Sequence, residues 1–154
     1  MTQLSTTFKN ELAKLLAHNE AIAGFGDASG LQPSAAEGNL YLRLCTDAVV
    51  VDDDTIGTEC AFTGYTSGGI ALARGSGNDL DVTTNVVSNA NNIEVVADAG
   101  YGGSEDVKFA ELWLDNSSST ESKRISHCQL SQTITMVAGK TFRISAGSLT
   151  FTID

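Results

Sequence analysis

The sequence predicts a mainly β fold, as a single β-sandwich or barrel-like domain with one N-terminal α-helix. Fifteen glycines against one proline, an abundance of Ser, Thr and Asn, and short apolar segments between polar turns all favour this class. The chain has 154 residues, of which 42% are hydrophobic, enough for one domain with a real core. We therefore expect one domain over residues 1–154, with the helix at about 5–19 and the β domain at about 39–154.

One helix precedes the expected strands. Its apolar residues recur at helical spacing: Phe8, Leu12, Leu15 and Leu16. Ser or Thr at positions 5–7 is suited to cap its start, and a glycine-rich stretch at 24–30 ends the pattern. His18 falls at its C-terminal end, where a protonated imidazole interacts favourably with the helix dipole, so we expect a structural role for it.

The rest of the chain has the alternation and turn residues of β-strands. We expect strands at 40–45, within 65–73, and at 81–87, 93–97, 109–114, 124–130, 133–136 and from 141 onwards. Segments 109–114 and 124–130 are typical of a hairpin. Trp113 lies in a mostly apolar strand and is expected in the core. The glycine-rich stretch 64–69 lacks the Gly-Lys-Ser/Thr end of a phosphate loop and is expected to be a turn.

The C-terminal segment changes the phase of its alternation. Phe142 and Ile144 are apolar at even positions, whereas Leu149, Phe151 and Ile153 are apolar at odd positions. A one-residue slip turns every side chain to the other face, so a β-bulge or bend is expected at Gly147. The alternative is two short strands joined by a tight turn.

Charge and hydropathy exclude several partners. Nine basic and nineteen acidic residues give a net charge of −10, and the basic residues are scattered, so nucleic-acid binding is not expected. No apolar run approaches the ~20 residues of a membrane helix, and the N-terminus lacks an apolar signal core. We expect no membrane partner and synthesis in the cytoplasm of the host.

No motif for catalysis is present. The three cysteines form no CxxC pair and are expected to be reduced, buried residues on strands: Cys45, Cys60 and Cys128. His127 and Cys128 are neighbours in a predicted strand and point to opposite faces, which argues against a catalytic dyad. GxSxG, Walker and HExxH motifs do not occur. We expect a protein that is not an enzyme, with no catalytic residues and no cofactor.

Two acidic loops offer oxygen ligands, at 52–54 and 78–81, but neither has the spacing of an EF-hand. We expect solvated loops and no metal site. Asn116-Ser117-Ser118 matches a glycosylation sequon, which carries little weight without a secretory signal.

The order of segments resembles a known family. An N-terminal helix is followed by NLYLRLCTDA, GTECAFTGYTSGGIAL, AELWLDNSSS and AGKTFRISAGSLTFTID. This order is similar to that of small tailed-bacteriophage virion proteins, the tail-fibre-like or capsid decoration-like proteins. The most specific part is the closing motif, present here as Gly139, Thr141, Phe142, Arg143, Ala146, Gly147, Leu149, Thr150, Thr152 and Asp154. The chain departs from the family at Cys60-Ala61-Phe62 and in a longer insertion near Asp52.

The resemblance implies a non-enzymatic structural role in the virion. The first hypothesis is a capsid decoration (cement) protein that binds the major capsid protein and stabilises the head as a homo-oligomer, with a trimer favoured. The alternatives are a tail component, namely a small tail fibre, adaptor or receptor-binding tip, and a carbohydrate-binding or hydrolytic module. The absence of repeats argues against a fibre shaft.

Four residues are the candidate partner contacts: Leu149, Phe151, Ile153 and Tyr101. The first three form the apolar row of the last strand, which is expected to pair in its own sheet or with a neighbouring protein. Tyr101 lies between glycines and is the expected exposed aromatic platform.

Overall fold

A computed structural model describes residues 4–23, 33–47, 56–116 and 124–153. Of these, 43% are in strands and 10% are helical, which confirms the mainly β class with one helix. The elements are α1 Thr6–His18, β1 Asn39–Cys45, β2 Ile70–Ala73, β3 Leu80–Thr83, β4 Val86–Asn89, β5 Ile93–Val96, β6 Glu105–Trp113, β7 Arg124–Met136, β8 Thr141–Ile144 and β9 Thr150–Thr152.

The strands form several antiparallel sheets, which fits a sandwich-like arrangement. The sheet orders are β2-β1-β6-β7, β3-β4-β9 and β5-β8. The chain divides into two compact units, one of residues 1–39, 72–93 and 144–154 and the other of residues 40–71 and 94–143. The expected single domain over 1–154 stays a prediction.

In the first unit, α1 packs against β3 and β4. Ser5 caps the helix as expected, because its side chain accepts a hydrogen bond from the amide of Phe8 at 3.2 Å. The fully buried helical residues are Ala13 and Ala17, whereas the expected apolar face is only half-buried. The most deeply buried positions of the helix are therefore occupied by small side chains, and its larger apolar side chains stay half-buried.

The C-terminal end of α1 is held by polar side chains. Arg74 donates from Nε to the carbonyl oxygen of Leu16 and from Nη2 to that of Leu15, both at 2.6 Å, which satisfies acceptors that lack partners within the helix. His18 has the expected structural position, with Nε2 3.0 Å from the carbonyl oxygen of Leu80.

The second unit contains β6, β7 and, apart from Asn39, β1 of the sheet β2-β1-β6-β7. β1 lies antiparallel to β6, with Tyr41 opposite Trp113, and β6 lies antiparallel to β7. Trp113 is fully buried, and the predicted hairpin is confirmed. The expected separate strand at 133–136 is wrong, because β7 continues through these residues with irregular pairing near 130–133.

The expected single strand at 81–87 is also wrong. β3 and β4 form a hairpin in which Thr83 lies opposite Val86, so Thr84 and Asn85 make a two-residue turn. Thr84 has a φ of 60°, the left-handed conformation that such turns require. This turn could not be recognised from the sequence, because glycine is the usual residue there and neither position is glycine.

The phase change at the C-terminus is explained by two strands rather than a bulge. β8 pairs with β5 and β9 pairs with β4, in different sheets. Between them Gly147 has a φ of 74°, and the amide of Ser148 donates to the carbonyl oxygen of Ser145 at 3.0 Å. The expected bulge is therefore wrong, and the alternative of two short strands joined by a tight turn is confirmed.

No helix among the described residues is both long enough and apolar enough to span a bilayer.

Candidate partner-binding site

The C-terminal strand pairs within its own chain. β9 is antiparallel to β4, with Phe151 opposite Val87. Opposite residues share one face of a sheet, so Phe151 lies on the same face as the fully buried Val87. The predicted apolar row is half-buried throughout: Leu149, Phe151 and Ile153. The row therefore faces the buried side of its own sheet and still presents apolar surface to solvent.

A buried asparagine fixes the turn that leads into β9. Asn89 is 1% exposed, and its Nδ2 donates to the carbonyl oxygens of Ser145 at 2.9 Å and Asn91 at 2.7 Å. Its Oδ1 accepts from the amide of Leu149 at 2.8 Å. Every polar atom of this side chain is thus satisfied, as a buried amide requires.

Two further asparagines hold the same segment. Asn85 donates from Nδ2 to the carbonyl oxygen of Ile153 at 2.8 Å and accepts the amide of Ile153 at its own carbonyl at 3.0 Å. Asn92 accepts from the amide of Ala146 through Oδ1 at 3.1 Å. We call Asn85, Asn89 and Asn92 the asparagine groove. From the sequence, residues 88–92 were expected to be a loop, and the asparagine groove was not predicted. The cluster of asparagines next to a strand was the signal that could have indicated it.

Tyr101 lies in the second unit and is half-buried rather than exposed. Its ring centroid is 6.4 Å from that of Phe62, with the rings tilted by 55°. This is an aromatic pair within the unit. Tyr101 therefore offers less free ring surface than the expected platform.

A buried carboxylate lies on β6 in the second unit. Glu111 is fully buried, and its Oε1 accepts from Arg124 Nη1 at 3.0 Å and from the amide of Gly57 at 2.9 Å. Its Oε2 accepts from Trp113 Nε1 at 3.0 Å. The guanidinium of Arg43 lies 4.1 Å from the centre of the Trp113 ring. Because both carboxylate oxygens accept from donors of the same unit, we assign this network a structural role.

The glycine-rich loop is a turn, as expected, and a second carboxylate organises it. Glu59 Oε1 accepts from the hydroxyl of Tyr65 and the amide of Gly68, both at 2.8 Å. The Tyr65 hydroxyl in turn accepts from the amide of Leu44 at 3.1 Å. Burial raises the pKa of the Tyr65 phenol, so it stays protonated and keeps donating to Glu59. Gly64 has a φ of 102°, and a side chain there would collide with the carbonyl oxygen of Val96.

The three cysteines differ in burial. Cys45 and Cys60 are buried as expected, although Cys60 lies outside a strand, and burial raises the pKa of Cys60 to about 12. Cys128 is exposed, which contradicts the expectation of a buried thiol. His127 and Cys128 are adjacent on β7, so their side chains point to opposite faces of the sheet.

In the acidic turn near residue 79, a carboxylate binds a backbone amide of the fold. Asp79 Oδ2 accepts from the amide of Ala73 at 2.8 Å. Within the described ranges, no group of three or more His, Cys, Asp or Glu side chains is placed to hold a metal ion. The acidic residues 52–54 and the last two sequon positions, 117 and 118, lie outside the described residues.

No protein-family model matches this chain, and no curated protein is significantly similar to it.

Proposed function

We propose that this chain is a non-enzymatic structural protein of a tailed-bacteriophage virion, a decoration protein that binds the major capsid protein on the head. The observation that carries the proposal is the resemblance of its sequence motifs to small virion proteins of such phages. Some of those motif residues occupy positions in turns or in the core that have strict structural requirements.

The closing motif meets such requirements at three positions. Gly139 and Gly147 have φ values of 71° and 74°, where a residue with a Cβ is strained. Phe142 is 1% exposed and lies in the core. A sequence that shares these residues is expected to share the turn on either side of β8 and the packing of its central phenylalanine.

The earlier motif, GTE followed by GY, has equally specific contacts. The amide of Gly57 binds the carboxylate of Glu111, and Glu59 binds the hydroxyl of Tyr65. These contacts join residues that are 54 and 6 positions apart. Because these motif residues make contacts within the fold, the resemblance supports a fold shared with the small virion proteins. The proposed role in the virion is carried over from that shared fold.

A decoration protein stabilises a shell by mass action. Binding to assembled capsid subunits, and not to dissociated ones, favours the assembled state by an amount that grows with the concentration of the bound protein. In this proposal the half-buried apolar row of β9 and the exposed part of Tyr101 are contacts with the virion. The protein is made in the bacterial cytoplasm and ends on the particle.

The test is addition of the purified chain to virion parts that lack it. We expect saturable binding to isolated heads and none to isolated tails. Ile153→Thr, which removes apolar surface from the row, should weaken head binding. Thr152→Ser, which changes the opposite face of β9, should leave head binding unchanged, with thermal unfolding confirming that both variants fold. Binding to tails alone would replace the proposal by the tail-component alternative.

A further inference from the structure

The surface that binds the C-terminal segment has the properties of a peptide-binding groove. The asparagine groove and the β4 backbone hold residues 145–153 in place. Four contacts use asparagine side chains, with acceptors or donors at Ser145, Ala146, Leu149 and Ile153. Three more join main-chain atoms, from Asn89 to Leu149, from Gly147 to Asn89 and from Ile153 to Asn85.

All seven hydrogen bonds reach main-chain atoms of the segment. Main-chain recognition of an extended strand is the mechanism by which proteins accept a strand from another chain. The groove therefore presents the same four contacts to Leu149 and Ile153 whether these residues belong to its own chain or to a neighbouring copy. The other three contacts, to Ser145, Ala146 and Gly147, belong to the turn that must open for exchange.

The segment itself is suited to exchange. Its apolar side chains are only half-buried, so releasing it exposes a limited apolar surface. It is joined to β8 by a short turn whose residues 145–148 are all exposed. Exchange of identical segments between copies is a low-cost route to an oligomer, and a head-to-tail exchange forms a ring when the rotation from one copy to the next closes.

We propose that residues 149–153 are an exchangeable arm, with the turn 145–148 as its hinge, and that in the assembled protein the asparagine groove of one copy binds the arm of a second copy. The arm makes the same contacts in its own chain and in a neighbouring copy. The equilibrium between these two states is therefore set by the conformation of the turn and by the local concentration of neighbouring copies. Copies held side by side on a particle have a high effective concentration, which favours exchange.

A disulfide trap on the full chain tests the occupant of the groove. Ser88 and Thr150 lie opposite each other in the β4–β9 pair, between the hydrogen-bonded positions, where Cα atoms are about 4.5 Å apart. This spacing is suited to a disulfide. The variant Ser88→Cys/Thr150→Cys is made in a Cys128→Ser background, which removes the exposed native thiol.

After mild oxidation of the concentrated protein and of decorated particles, we expect covalent multimers on non-reducing gels. The matched single variant Ser88→Cys in the same background should give none. Monomers with an internal disulfide, at every concentration and on particles, would overturn the exchange.

A synthetic peptide of residues 145–154 tests the groove itself. In excess during oxidation of the double-cysteine protein, a peptide with cysteine at position 150 should become covalently attached and suppress the multimers. The same peptide methylated on the main-chain nitrogen of Leu149 loses the hydrogen bond to Asn89, and its attachment should fall at least tenfold. Equal attachment of both peptides would refute recognition by Asn89. This result is independent of head binding, because it is measured without virion parts.

Discussion

Replacing Asn89 by Ala should be one of the most destabilising polar substitutions in the first unit. The side chain is 1% exposed and makes three hydrogen bonds, to Ser145, Asn91 and Leu149. At about 1 kcal/mol for each bond, and more where a buried partner is left unpaired, the loss is about 3–4 kcal/mol. With an m-value of about 2 kcal/mol/M, the urea midpoint should fall by about 1.5–2 M.

Asn92→Ala is the matched control for this prediction. Asn92 is the same residue type at the same turn, but it is exposed and accepts one hydrogen bond, from Ala146 at 3.1 Å. Its loss should cost about 0.5–1 kcal/mol. Equilibrium urea unfolding, followed by tryptophan fluorescence and circular dichroism, measures both variants. If Asn89→Ala costs no more than Asn92→Ala, the claim that Asn89 fixes the C-terminal strand is refuted.

Other contacts of the described residues allow four further predictions. Deleting Leu149–Asp154 removes β9 and should give an insoluble or unassembled product, and a folded product that still binds particles would show that the strand is dispensable. Arg124→Met leaves the buried carboxylate of Glu111 without its ion-pair partner, and urea unfolding should show a loss of about 3–5 kcal/mol; a loss near zero would contradict the pairing. The backbone amide of residue 58 donates to the Asp47 carboxylate and holds the pKa of Asp47 below its usual 3.8. The ionised carboxylate therefore stabilises the fold above pH 3.8, and this stabilisation is lost as the pH falls through the pKa of the folded state. The difference in unfolding free energy between the wild type and Asp47→Asn should therefore be present at pH 7 and shrink as the pH is lowered below 3.8, and a constant difference would contradict the pairing. In thiol titration the native chain should react at Cys128 and the two buried cysteines should react after unfolding; rapid reaction of more than one thiol in the native chain would contradict their burial.

The helix could be predicted from sequence because its signals are local. Ser5 supplies the cap, the apolar residues repeat at helical spacing, and Asn19 ends the helix in a left-handed conformation with a φ of 58°. The depth of burial could not be predicted, because the burial of Ala13 and Ala17 depends on how the helix packs against the rest of its unit.

Strand boundaries were less predictable where the turn chemistry is unusual. The hairpin at Thr84 and Asn85 contains no glycine, so residues 81–87 had the alternation of one continuous strand. At the C-terminus the phase change was visible in the sequence. Whether Gly147 made a bulge or a turn depended on which sheet β9 joined. Strand pairing of this kind is decided by tertiary contacts, which the local sequence does not show.

The polar contacts that fix the site were the least predictable part. Asn89 and its partners Ser145 and Leu149 are 56 and 60 positions apart in sequence, so no local pattern relates them. Glu111 likewise has its ion-pair partner 13 residues away, on the neighbouring strand. A buried polar residue in a strand is indistinguishable from an exposed one until its neighbours are known.

The central claim is that this chain decorates the capsid, and its copy number on purified particles tests that claim most directly. Quantitative mass spectrometry with isotope-labelled peptides of this chain and of the major capsid protein gives the ratio of the two proteins. We predict a ratio in simple proportion to the capsid protein, with the chain retained on isolated heads. A handful of copies per particle, found with the tail, would contradict the account.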